Sequence, residues 1–279
     1  MSIPASATIL VDRSAQIRSV RGTAAAVLHY RQLIRSLVAK DLKLKYRGSV
    51  LGFLWSLVNP LLMLGVYTFA FSYILHIRIE GFVFLLLVGI LAWSFFVGAL
   101  VMSTGAIVDN AGLLKSVLFP RAVLPIASVM FNFAQFVLTA AVLIPVMLIV
   151  YRVPLTPLVM LYPVFLFLQL VFITGLALAL SAAAAHLRDT RHLLDIALQV
   201  LFWLTPIVYS FEVQVPERFR ALLLLSPMSS FIVAYQRILY YGVWPGVEVT
   251  LVALLYAITA LALGTTFFLR SDRRFSELV

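Results

Sequence analysis

The sequence predicts an all-α integral membrane protein. It should have six transmembrane helices, an N-terminal amphipathic interfacial helix, and re-entrant gate helices on the external side between spans five and six. Three observations carry this. Of 279 residues, 63% are hydrophobic and only 11% are charged, where a soluble domain carries about 25% charged residues. The charges are separated by long uncharged windows. Those windows are continuously apolar, as in FVFLLLVGILAWSFFVGALVM, and do not alternate as the ~10-residue strands of a membrane barrel do.

The same composition excludes a disordered chain and a nucleic-acid-binding domain, and argues against an ordinary soluble enzyme. There are no cysteines, which excludes disulfides, thiolate metal sites and cysteine nucleophiles. Four His and 11 acids, mostly far apart, leave little material for a buried metal or hydrolytic centre.

Charge-free windows cover 48–75, 81–108, 122–151, 153–187, 196–211 and 249–269. About 20 apolar residues at ~1.5 Å each cross a ~30 Å hydrocarbon core. Five windows are long enough outright. The 196–211 window becomes a span when Leu193 and Leu194 are added, with Asp195 near its cytosolic end. The expected spans are 51–75, 83–108, 123–150, 157–185, 193–211 and 247–269, within a transmembrane domain of residues 48–279. With six spans both termini share a side. Sixteen of the 21 Lys and Arg fall on that side, which puts both termini in the cytoplasm. The net charge of +10 is thus mostly a topology signal.

Residues 1–26 lack the apolar core of a signal peptide and are expected to form a cytosolic arm. Residues 27–47 read as the amphipathic helix. Arg31, Arg35, Lys43 and Arg47 fall on one i,i+4 row, and Tyr30, Leu33, Ile34, Leu37 and Val38 lie largely opposite. Such a helix is either a topology anchor in the interface plane or a cytosolic gate element that meets an anionic lipid head.

Between spans two and three, Leu113, Leu114, Val117 and Leu118 give one apolar edge to a short helix over about 110–121, with Asp109 or Asn110 as N-cap and Pro120 as its end. It suits either the membrane surface or a groove on another protein. Residues 217–242 hold two short apolar stretches broken at Ser226-Pro227. Neither can span, and they read as two half-helices dipping in from outside. Non-helical backbone at that depth must be buried in protein or line an aqueous cavity.

No G-x-x-x-x-G-K-[ST] loop is present, so the chain has no P-loop with which to hydrolyse ATP. The span cores carry no Asp, Glu or His, which disfavours ion coupling. Uphill movement therefore needs an external motor. Tyr67 and Phe71 share a face of span one; Trp93 and Phe96 pair in span two; Phe202, Trp203 and Tyr209 lie on span five. Interfacial belts and packing account for most such rings. The remainder could line a conduit on which sugar faces slide.

The run KDLKLKYRGSVLGFLWSLVNPLLMLGVYTFAF (40–71) resembles the start of the permease subunit of ABC-2 class polysaccharide exporters, which move O-antigens, capsules and teichoic acids. NAGLLKSVLFPRAVLP (110–125) is similar to that family's coupling-helix loop. RDTRHLLDIALQVLFWLTPIVYS (188–210) is similar to its fourth cytosolic loop and span five. SPMSSFIVAYQRILYYG (226–242) is similar to its external gate segment, with Ser226 where Asn is common.

The resemblance implies several roles. Arg35, Lys40, Lys43 and Arg47 would form the cytosolic gate that receives a lipid pyrophosphate. Asn110, Leu113, Leu114, Lys115, Phe119 and Arg121 would couple to an ATPase. Tyr67, Phe71, Phe202, Trp203 and Tyr209 would line the channel. Pro227, Tyr235 and Arg237 would belong to the external gate. The implied partners are a second copy of the chain, two copies of a cytosolic ABC ATPase subunit, a polyprenyl-pyrophosphate-linked glycan and membrane lipids, with no nucleic acid. No cofactor or metal is expected on this chain; ATP and Mg would reside on the partner. The implied location is the bacterial inner membrane. Two other functions fit less of the chain: an ABC-2 permease for a small drug or free lipid, and a membrane enzyme using Asp189, His192 and Asp195 on lipid-linked sugars.

Overall fold

The computed structural model describes residues 29–49, 52–76, 79–116, 119–152 and 156–272. The expected arm at 1–26 and the last residues, 273–279, lie outside them. Every regular element among the described residues is helical. Helix α1 is Arg31–Tyr46. Helix α2, Leu54–Thr68, continues as a π-helical turn, Phe69–Ile74. Then come α3, Phe82–Asp109, α4, Ala111–Ser116, and α5, Val123–Val150. A 3-10 turn, Pro157–Leu161, leads into α6, Tyr162–His186. Helix α7 is Thr190–Leu204, and α8 is Glu217–Leu224. Helix α9, Pro227–Gln236, runs on as a π turn, Arg237–Tyr241. Helix α10 is Val247–Asp272.

Five of these segments are long and apolar enough to cross a membrane: α2 with its π turn, α3, α5, α6 with its 3-10 turn, and α10. Helix α3 is apolar all round, as suits a membrane span or a buried core helix, and it is the most buried of the five, sitting at the centre. Phe84, Leu85, Leu86, Leu87, Ala99 and Ile107 are fully buried. Helices α5 and α6 flank it, and α10 makes its most extensive packing against α6. That pair meets at two glycines. A Cβ on Gly175 would run into the backbone of Ala260, and one on Gly264 into the carbonyl of Gly175. Buried hydroxyls satisfy themselves within their own helices: Ser103 donates to the Ala99 carbonyl at 2.5 Å and Thr104 to Leu100 at 2.7 Å. This keeps them compatible with an apolar surrounding.

The fifth expected span differs from its reading. It begins at Thr190, not 193, and its helix ends at Leu204, about 22 Å long at 1.5 Å per residue. The cause is Thr205-Pro206. Proline brings no N–H and disfavours helical backbone in the residue before it. The chain beyond is irregular yet deeply buried, with Ile207 and Val208 inaccessible. Its polar groups are met by side chains. Gln236 Nε2 donates to the Pro206 carbonyl at 3.0 Å, the Ser210 and Tyr241 hydroxyls share a bond at 2.7 Å, and Gln214 Oε1 accepts the Ser210 N–H at 2.7 Å. Gly89 of α3 admits this strand, because a Cβ there would press on the Ile207 backbone at 3.3 Å. Helices α8 and α9 meet at a 118° bend at Ser226-Pro227, where the sequence placed the break.

At the end of the bundle where α3 stops, a second apolar cluster joins Ile34, Ile107, Ala122, Val123, Ile126, Leu178, Ala182 and Phe268. Tyr30, Leu33, Leu37 and Val38 of α1 pack on it. The apolar stripe of α1 is thus seated on the protein itself, chiefly along α5. Arg31, Arg35, Lys40, Lys43, Lys45 and Arg47 stay exposed.

Candidate functional site: an aromatic groove and the two ends of the bundle

On one face of the chain, α2, α3 and α7 enclose an open groove of about 540 Å³. Its walls are Tyr67, Trp93, Val97, Val101, Leu198, Phe202 and Trp203, with Asp195 and Gln199 also lining it. Tyr67 stacks on Phe202 with ring centres 5.8 Å apart. Phe202 meets the edge of Trp93 at 5.7 Å and of Trp203 at 5.4 Å. Phe71 touches Tyr67 edge-on at 6.4 Å. Tyr209 donates to the Trp203 carbonyl at 3.3 Å.

Four of the five sequence-predicted channel aromatics therefore form one ring cluster, with Tyr209 bonded to its edge. Trp93, Asp195 and Gln199 are additions. Asp195, Gln199 and Phe202 lie at i, i+4 and i+7, one face of a helix, and that spacing was present in the sequence. A wall of rings with two polar side chains offers flat apolar contact for sugar C–H faces and a few hydrogen bonds, without a tight pocket for one molecule.

At the end of α3, in the loop expected to be helical over 110–121, the described residues Ala111–Ser116 are helical. Residues 117–118 lie outside the described residues, as does the side chain of Lys115. Asn110 does not cap this helix with its side chain. Its Nδ2 donates backwards to the Ala106 carbonyl at 2.9 Å, closing α3, while its own carbonyl accepts the Leu113 and Leu114 N–H groups at 3.0 and 3.1 Å. Asp109 pairs with Arg191 of α7 at 2.6 Å. Leu114 and Phe119 pack on the second cluster, so they turn inward, where the sequence had offered them to a partner. Leu113 and Arg121 are half-buried. Gly112 is exposed, with nothing within 4 Å of an added Cβ.

At the opposite end, Pro227 is the first residue of α9, fitting a position that needs no N–H. Tyr235 is buried and donates to Gln169 Oε1 at 2.6 Å; Gln169 Nε2 passes the chain on to the Ala92 carbonyl at 3.1 Å. This ties α9, α6 and α3 together. Arg237 holds Glu212 through Nε at 2.7 Å and Nη2 at 2.5 Å, and its Nη1 donates to the Pro245 carbonyl. One guanidinium thus fastens the irregular strand after α7, the end of α9 and the entry to α10. Planar fork geometry is what suits arginine to such a junction.

The Asp189, His192 and Asp195 pattern does not gather into a centre: among the described residues no three His, Asp or Glu side chains are placed to share a metal ion.

A model of the ABC-2 type transporter matches residues 32–240. The chain is similar to the O-antigen export system permease protein RfbA of Myxococcus xanthus, at 35% identity over 254 residues that cover 90% of this chain and 96% of that protein. It is also similar to two O-antigen export system permease proteins RfbA of Klebsiella pneumoniae. One is 28% identical over 86% of this chain and 92% of the relative; the other is 27% identical over the same shares. The matched stretch carries α1 through α9, including the aromatic groove and the bent helix pair. The chain is a multi-pass membrane protein and belongs to the ABC-2 type transporter family.

Proposed function

We propose that this chain is the membrane-spanning permease of an ATP-driven exporter that moves a lipid-linked polysaccharide, of the O-antigen class, from the cytoplasm to the outer side of the bacterial inner membrane. The observation that carries this reading is the aromatic groove. It lies open along one face, so a closed conduit needs a second wall, and a second copy related by two-fold symmetry would supply an identical one. The relatives named as O-antigen export permeases match the chain almost end to end, which supports the substrate class.

The rest of the mechanism follows from position. Both termini face the cytosol. The exposed Arg35, Lys40, Lys43 and Arg47 of α1 attract the pyrophosphate end of the substrate. The loop at α4 docks on a separate ABC ATPase, two copies per dimer, where ATP and Mg are bound. The bent α8–α9 pair, fastened through Arg237, forms the external gate. Stacked rings bind each sugar weakly, which lets a long chain advance without stopping at one register.

Tyr67→Ala combined with Phe202→Ala tests the groove. Both half-buried side chains leave one stack, at 5.8 Å, on the edge of the core, so the double variant opens the groove wall, and an unchanged melting temperature separates this from lost packing. Surface glycan in intact cells is expected to fall roughly tenfold, the equivalent of about 1.4 kcal/mol of lost contact. Wild-type export with wild-type chain length would remove the groove from the pathway.

A further inference from the structure

A second cavity, of about 230 Å³, lies on another side of α3, between the end of α1, the start of α2 and the middle of α5. Its polar lining is Lys45, Ser56, Asn59, Ser94, Asn132, Gln135 and Thr139. No carboxylate lines it. Lys45 lies outside the row of basic residues that the sequence singles out on α1. Its ammonium is the donor to Gln135 Oε1 and sits 5.9 Å from the centre of the Phe131 ring. These are its only partners among the described residues. Partial burial lowers its pKa, the expected response of a cation losing water without an anion to replace it. Gln135 Nε2 is buried and has no hydrogen-bond partner among the described residues. Lys45 is an exposed residue, yet it lines the same cavity as that amide N–H, so a cation and an amide donor border one polar space.

The depth of the cavity indicates which acceptor suits these two donors. Trp55 and Ser56 stand in the first turn of α2, where the chain enters its apolar span, and Trp55 is half exposed. Tryptophan at the start of a span marks the headgroup level. On the cytosolic orientation of α1, this is the inner-leaflet interface. The remaining walls are apolar, with Pro60, Leu91, Phe95 and Phe136, and the outer face of α2 beside them exposes Leu54, Leu61 and Leu62. Such a site takes a charged head from the interface and leaves a hydrocarbon tail along α2. Donors without a carboxylate favour a phosphate that carries no ammonium group of its own.

We propose that this cavity binds the phosphate of an anionic membrane lipid, with Lys45 Nζ and Gln135 Nε2 as its donors. The geometry stands without reference to transport; the site rests on the exporter reading only for the expectation that a polyprenyl phosphate is the preferred lipid.

The test is native mass spectrometry of the purified full chain in detergent, with polyprenyl monophosphate, phosphatidylglycerol, phosphatidylethanolamine or inorganic phosphate added. The two anionic lipids are expected to be retained roughly tenfold more tightly than phosphatidylethanolamine, polyprenyl phosphate the more so. Lys45→Gln and Gln135→Leu should each lower that retention roughly tenfold, and Lys45→Arg should restore most of it. Unchanged melting temperatures in the three variants would separate lost binding from lost fold. Equal retention of all three lipids, or anionic-lipid retention unchanged in both Lys45→Gln and Gln135→Leu, would overturn the site. Retention of inorganic phosphate without lipid would overturn the lipid assignment. No ATPase or glycan takes part, so a failure here leaves the exporter reading standing. Absence of export by the wild-type chain together with its ATPase, with lipid retention intact, would count against that reading and not against the site.

Discussion

A Gly175→Val chain is expected not to accumulate as a folded protein. Helices α6 and α10 form the most extensive pairing in the molecule, and they touch backbone to backbone at Gly175 and Gly264. The atoms that a new Cβ would strike are the carbonyl of Ala260 and the amide of Leu261, neither of which can swing aside as a side-chain tip does. The helices must separate along their length. Within a membrane this loss has no hydrophobic compensation, since association there depends on close packing of small residues. Overpacking a core costs about 1–3 kcal/mol when side chains can adjust, and more when backbone must move, against a total stability of only about 5–15 kcal/mol. Fluorescence-detected size exclusion in mild detergent should show aggregate in place of the wild-type peak. A monodisperse peak with the wild-type melting temperature would refute the close crossing.

Gly112→Trp should have the opposite character, leaving the chain intact and removing its output. The residue lies in the short helix α4 with open space around it. Tryptophan gains about 0.5 kcal/mol of helix propensity over glycine, so helix formation is not penalised. If α4 seats in a groove on a motor subunit, an indole at this exposed point blocks the fit. Co-purification of the ATPase and surface glycan should both drop by roughly tenfold or more, with the melting temperature of the isolated permease unchanged. Wild-type co-purification and export would move the docking surface elsewhere. This substitution reads the interface more cleanly than a change at Leu114 or Phe119, because those two pack on the chain's own second cluster.

Five spans were legible because each is a long apolar run whose ends are set by charges. The apolar stripe of α1 was legible in its i,i+4 pattern. The aromatic cluster was legible in composition, and most of its members in position. The other differences depend on which segments meet in space. Thr205-Pro206 was present in the sequence as a helix stop, but the irregular strand that follows is tolerated only because Gln236, Tyr241 and Gly89, distant in the chain, satisfy and admit it. Leu114 and Phe119 turn inward because α1, α5, α6 and α10 together build a patch beneath them. Lys45 lies outside the basic row of α1, and its pairing with Gln135 arises from the seating of α1 along α5, which no local pattern marks. The Gly175–Gly264 crossing joins residues almost ninety positions apart, and no local pattern marks it.

On the proposed function, the chain is a conduit moved by a motor on another polypeptide. In proteoliposomes, the purified chain is supplied with lipid-linked glycan and ATP, with and without an ABC ATPase subunit, and glycan reaching the far leaflet is measured. ATP-dependent transfer is expected only when both proteins are present. Net uphill transfer, or ATP turnover, by this chain alone would overturn the proposal.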